Sequence, residues 1–129
     1  MLTPAEFRAA FWLSLTLIGM SACGVSVAVG PPAVPSATEA AFIETIVGQT
    51  SRSQPGIQRA KVFAAADGST IACGEWTAPD GWGTTDWSPF YVRWRGGTVL
   101  RVHLDDPTGF GPALQGCNMA LAGQIKLSG

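Results

Sequence analysis

No charged residue stands between Arg8 and Glu39. A water-exposed segment of that length normally carries charge on its outer face, so this one is constrained to be an export signal, a membrane span or an unfolded linker. Ala9 to Met20 (AAFWLSLTLIGM) is a compact apolar run behind the free amine, Glu6 and Arg8. That order of charge, apolar run and small residues is the layout of a secretory signal.

Met20-Ser21-Ala22-Cys23 resembles the lipobox of bacterial lipoproteins, an aliphatic residue and two small ones before an invariant cysteine. The resemblance implies removal of residues 1–22, lipid on Cys23 and attachment to the membrane through that lipid. Two other readings stay open. Ser26-Val27-Ala28 also fits the small-x-small rule for ordinary signal cleavage, which would release a soluble protein. Alternatively Ala9 to Gly30 is long enough to stay in place as a membrane span. In each case the positive charge lies ahead of the apolar run, which places the rest of the chain outside the cytoplasm, in the cell envelope facing the periplasm.

With 129 residues, the chain has room for one domain after such a signal. Its 8 basic and 9 acidic side chains leave a formal charge of -1, which gives no electrostatic reason to expect nucleic acid. Once Cys23 is lipidated or discarded, Cys73 and Cys117 remain, and an oxidising compartment would pair them; two buried free thiols are the alternative. A single histidine and two distant cysteines lack zinc-ligand spacing, so neither metal nor other cofactor is expected.

Gly24 to Pro35 (GVSVAVGPPAVP) carries three prolines among small residues and reads, with Cys23, as a flexible tether over 23–35. The single folded domain is then 36–129. Ser36-Ala37-Thr38-Glu39 fits a capping box, and Phe42, Ile43, Ile46 and Val47 recur at helical spacing, predicting a helix to about Gln49. Asp67-Gly68 predicts a hairpin between Gln58–Ala65 and Thr70–Trp76, with Cys73 opposite Val62 in a two-residue-turn register. A second hairpin joins Phe90–Trp94 to Val99–Leu104. A three-residue turn, Arg95-Gly96-Gly97, would put Phe90, Val92, Trp94, Leu100, Val102 and Leu104 on one face and Tyr91, Arg93, Arg101 and His103 on the other. Pro112 opens a last helix whose inner face is Leu114, Cys117 and Leu121, and Gly123 stops it. The expected class is α+β: an N-terminal helix, an antiparallel sheet of two consecutive hairpins, and a short C-terminal helix tied by the disulfide as a two-layer pair.

The stretch Gln54 to Phe90 resembles small, uncharacterised exported domains of Gram-negative bacteria. The matching features are Pro55 after the first helix, Ala60 to Val62 in a strand, Cys73-Gly74-Glu75, the Gly81-Trp82-Gly83 loop and Pro89-Phe90-Tyr91. Cys117 looks like the cysteine of that family's last helix. The resemblance implies fold and export, and no activity.

Candidate binding residues fall in two groups. Thr77 to Ser88 concentrates Trp82, Trp87, Asp80 and Asp86, indoles able to stack on a sugar or anchor an envelope protein with carboxylates to orient it. Indoles that merely cover a small sheet are the plainer account. The cationic, partly aromatic face of Tyr91, Arg93, Arg101 and His103 is the second group. Glu75 lies on the Cys73 face as a buried, hydrogen-bonded structural carboxylate or a perturbed acid. His103 is the only histidine, and Asp105 and Asp106 follow it, yet no activated nucleophile accompanies them. The expected role is therefore non-catalytic binding or stabilisation of another envelope component. The alternative is a small envelope hydrolase or glycan-acting enzyme using Glu75, His103 and Asp106, which would need a concave site joining at least two of them.

Overall fold

The computed structural model describes residues 25–78, 86–107 and 111–126. Cys23, Asp80 and Trp82 lie outside the described residues. The described elements run β1 (Ser26–Ala28), α1 (Ala37–Ser51), β2 (Gly56–Ala64), β3 (Thr70–Thr77), β4 (Ser88–Arg95), β5 (Thr98–Leu104), α2 (Pro112–Leu121) and β6 (Gln124–Lys126). The class is α+β, with β2-β3-β4-β5 in one antiparallel sheet and β1 paired to β6 in a ribbon.

Helix α1 begins at the capping box read from the sequence. The Glu39 N–H donates to Ser36 Oγ at 3.1 Å, and the Ser36 N–H donates to Glu39 Oε1 at 2.9 Å, so two otherwise orphaned donors are satisfied. The helix runs two residues past Gln49 and ends on Arg52 in the left-handed region. Its Ile43 and Val47 are buried with Val62, Ala72, Phe90, Val92 and Trp94, which form one face of the sheet. Phe42 packs its ring 5.0 Å from that of Trp94.

Alternation along the strands sends Phe63, Ile71, Cys73 and Tyr91 to the other face, where they are buried with Ala113, Cys117 and Ala120 of α2 and with Val27 and Ile125 of the ribbon. The sheet is thus covered on both faces, and the two-layer expectation is corrected to three layers. That layer is α2 together with a ribbon, one strand of which comes from residues assigned to the tether. Ser26, Val27 and Ala28 pair with Lys126, Ile125 and Gln124, and Val29 and Ala33 bridge to Ala65 and Val62 along the β2 edge. Val27 flanked by small neighbours and Ile125 between polar ones alternate at strand period, and each buries its central residue against Cys73's face. Prolines keep this segment out of a helix but do not stop an extended chain from pairing at a sheet edge.

Both hairpin registers differ from expectation in an instructive way. In the first, Ala65 and Ser69 still pair through Ala65 N–H to Ser69 O at 2.9 Å, leaving a three-residue loop closed by Gly68 at φ 87. The extra residue shifts the register by one, so Cys73 faces Lys61 and Val62 turns to the α1 side. In the second, Gly96 and Gly97 both adopt positive φ and form a two-residue turn, followed by a bulge between Arg93 and Trp94. The bulge restores the expected division between faces, with Phe90 opposite Leu104 and Val92 opposite Val102, but Trp94 pairs with Val99 and Leu100 is left 37% exposed.

In α2 the buried residues are Ala113, Cys117 and Ala120, whereas Leu121 is exposed. Cys117 reaches Cys73 in a disulfide with Cα atoms 5.8 Å apart, tying the helix to the central sheet. Among the described residues no helix is long and apolar enough to cross a membrane. Residues 26–29 of the expected alternative span are strand and bridge rather than helix.

Candidate functional site

The second hairpin and α2 enclose a groove of about 370 Å³. Tyr91 and Arg93 come from β4, Arg101 and His103 from β5, Gln115 from α2 and Lys126 from β6. The cationic face read from the strand pattern is therefore one wall of a concavity. Tyr91 pairs with His103 across the strands, their rings 5.8 Å apart and tilted by 40°. Gly116 is what lets α2 come this close: a Cβ there would stand 2.8 Å from the Tyr91 ring. Burial pushes the Tyr91 phenol above its ordinary pKa, against the opposing pull of Arg93 and Arg101, so it stays neutral.

Arg93 carries a structural duty as well. Its Nη2 lies 2.7 Å from Asp67 Oδ2 and its Nε donates to Ser69 Oγ at 3.1 Å, while Arg95 Nη2 lies 2.9 Å from the same carboxylate oxygen. Ser69 donates through Oγ and N–H to Asp67 Oδ1 at 2.6 and 3.0 Å. These Ser69 bonds, then Arg93, hold the Asp67 carboxyl well below the usual carboxylate range. A depressed folded-state pKa means stability that is present above the unfolded value near 4 and is lost as pH falls below it. Asp67→Asn should cost about 1–2 kcal/mol at pH 7, from hydrogen bonds to a charged group, and that difference should shrink on acidification below about pH 4 in denaturant titrations. A difference independent of pH would contradict this account.

The other sequence-selected residues disperse. Trp87 is 37% exposed and its ring covers Gly56, where a Cβ would lie 3.3 Å from Cη2. The Trp76 indole N–H donates to the Asp105 carbonyl at 3.2 Å. Asp86 and Asp106 line a second cavity of about 340 Å³ beside Trp76. Glu75 is not buried as expected: its side chain is 32% exposed, accepts from Gln58 Nε2 at 2.8 Å and lies 3.7 Å from Arg59. Asp105, two residues from His103, is buried and turned away to α2, whose Ala113 and Leu114 N–H groups donate to its two carboxylate oxygens at 2.9 Å each. His103, Asp106 and Glu75 thus occupy three places: the groove, the second cavity and an outer part of the sheet near the β2 bulge.

Sequence reasoning missed Lys126, Gln115 and the Asp67 anchor. The alternation Gln124-Ile125-Lys126 was the available signal for β6, but three residues are too few to separate a strand from a tail. Among the described residues no group of His, Cys, Asp and Glu is placed to hold a metal ion. What the fold and groove define is a disulfide-clamped α+β domain with a basic cleft. Compared with protein-family models, with curated proteins and with solved structures, the chain matches none.

Proposed function

We propose that the chain is a non-catalytic module of the bacterial cell envelope, anchored by lipid on Cys23, that binds or stabilises another envelope component. The observation that carries this reading is the groove, which gathers Tyr91, Arg93, Arg101 and His103 into one concavity. A disulfide between Cys73 and Cys117 supports an oxidising, exported setting. The dispersal of Glu75, His103 and Asp106 weighs against the hydrolase alternative, whose chemistry needs two such groups within reach of one substrate atom. The likeness of Cys73-Gly74-Glu75 and the Gly81-Trp82-Gly83 loop to exported Gram-negative domains fits the same setting.

The anchor is constrained by β1. Cleavage after Ala28 would delete β1, remove Val27 from the core and leave Ile125 uncovered. Cleavage before Cys23 keeps β1 and leaves only Gly24 and Val25 between the lipidated residue and the ribbon, a reach of about 10 Å at most. Mass spectrometry of the mature N-terminus should therefore find a lipid-modified Cys23, and a chain starting at Val29 would refute the anchor. Pull-down from detergent-solubilised envelopes should recover a partner with the wild type. Capture should fall when Trp82 and Trp87 are replaced by Ala, or Arg101 and His103 by Gln. Failure to recover any partner with the wild type would overturn the binding role.

A further inference from the structure

Resting on the lipid anchor of that reading, we propose that the Lys126 end of the β1–β6 ribbon and the groove beside it form the membrane-facing surface of the domain, seated against the phospholipid headgroups of the bilayer that holds Cys23. Covalent reach is the first support. Only Gly24 and Val25 separate Cys23 from β1, a span of about 10 Å at most. A lipid chain in the hydrocarbon core holds Cys23 at the headgroup layer, which is itself roughly 5–8 Å thick on each side of a bilayer. The gap left between bilayer and ribbon is narrower than a folded domain, whose radius of gyration alone is about 13 Å at 100 residues. A second folded protein does not fit in it, whereas headgroups fill it.

Strand pairing fixes which end of the ribbon is anchored. Ser26 pairs with Lys126 and Ala28 with Gln124, while the Val29 N–H donates to the Gly123 carbonyl at 2.9 Å, so the chain leaves β1 toward Cys23 at the Lys126 end. Ile125 and Lys126 are also lining residues of the groove. The groove therefore lies at the anchored end, and the turn at Gly123 lies at the other. Helix α1 is remote from both, because it packs on the opposite face of the sheet from the ribbon, about two layer spacings of about 10 Å each away.

The anchored end also has the side chains of an interface. Val25 is 62% exposed beside the link, and the groove adds Met119 and Pro112 to the long side chains of Arg101 and Lys126. Basic side chains of that length lay their methylenes along apolar surface and keep their heads in the polar layer. Among the described residues no Asp or Glu lines the groove, so seating it brings none of its own carboxylates into the phosphate layer, whereas Glu39 and Glu44 are carried by α1 on the far side. The seat rests on reach and strand order, and it needs no cation that lacks a partner; Arg93 stays with Asp67 throughout.

Removal of residues 1–22 leaves Met119 as the only methionine, and it lines the groove, so one methyl signal reports on this surface. The full chain is produced with its signal, purified in detergent and placed in phosphatidylcholine nanodiscs with and without headgroup spin-labelled phosphatidylcholine. Thr45→Met adds a second methyl on the exposed side of α1. NMR relaxation should be enhanced by the label far more at Met119 than at the α1 methyl. Because that enhancement falls with the sixth power of distance, an added layer spacing of about 10 Å should separate the two by about tenfold. Thermal unfolding verifies that the variant keeps the fold, and Ala41→Met, also on the exposed side of α1, replaces it if it does not. Equal enhancement of the two methyls, or stronger enhancement on α1, overturns the proposal. So does a Met119 signal untouched by the label, which would assign the groove to an envelope protein instead. The mass of the same sample separates this proposal from the reading it rests on: lipid on Cys23 with equal enhancement strikes the orientation and leaves the anchored module, whereas a mature chain without lipid strikes the anchor and the seat with it.

Discussion

Replacing Cys73 with Ser should lower the unfolding free energy by about 2–5 kcal/mol, a large share of the ~5–15 kcal/mol typical of a small domain. The bond closes a sequence separation of 44 residues that includes β4 and β5, and the chain-entropy account assigns about 4 kcal/mol to a loop of that size. A hydroxyl in place of sulfur adds a cost of its own, since Cys73 and Cys117 are each only 8% exposed among Phe63, Ile71, Tyr91 and Ala113. Reductant should reproduce most of the loss in the wild type and have no effect on the double Ser variant. Denaturant melts with and without reductant test this directly, and an unchanged midpoint on reduction would show that packing alone holds α2. The groove depends on the same bond, because Gln115 and Gly116 precede Cys117 on that helix. A reduced protein should therefore lose partner capture at lower denaturant than it loses its far-UV signal.

The disulfide and the α+β class were legible because each follows from a one-dimensional cue. Reading the N-terminal segment as an export signal sets Cys23 aside and leaves Cys73 and Cys117 to pair, and Ser36 with Glu39 announces a helix start without reference to anything distant. The cationic wall was legible too, since strand period alone puts Tyr91, Arg93, Arg101 and His103 on one face, and that result survived an error in the turn. What failed needed three-dimensional information. The Asp67-Gly68 dipeptide marks a turn, but whether the loop holds two residues or three depends on Ala65 pairing with Ser69, and a shift of one sends Val62 to the opposite layer. Ser26 to Ala28 looked like linker because its partner, Gln124 to Lys126, lies at the far end of the chain. Polar groups were misjudged for a similar reason. Glu75 shares a strand face with Cys73, yet it sits near the end of β3 beside the bulge at Arg59, where solvent reaches it.

Loss of the Asp105 carboxylate should be nearly as damaging as loss of the disulfide. Asp105 is 5% exposed and joins three elements: its N–H donates to Pro89 O at 3.0 Å, its carbonyl accepts from Trp76, and its side chain receives the Ala113 and Leu114 N–H groups. Those two N–H groups belong to the first turn of α2, whose N-cap residue Gly111 offers no side chain to satisfy them. Asp105→Ala removes a charged cap and strands two donors, a cost of about 2–4 kcal/mol. Asp105→Asn keeps one acceptor and should cost roughly half as much on the same scale. Gly111 is bound to the same event by space rather than by backbone strain, because its φ is an ordinary -119 and a Cβ there would overlap the Asp105 carboxylate. Gly111→Ala should therefore destabilise the wild type yet do little in an Asp105→Ala background, where the obstacle is gone. Denaturant unfolding of the four proteins gives the coupling, expected at about 1 kcal/mol or more for residues in contact. Additive losses would mean that Gly111 is required for some reason other than the carboxylate, and an Asp105→Ala loss below about 0.5 kcal/mol would mean that water replaces the cap. With the disulfide intact, α2 should fray from its first turn while Cys117 stays fixed, opening the Pro112 end of the groove before the Lys126 end.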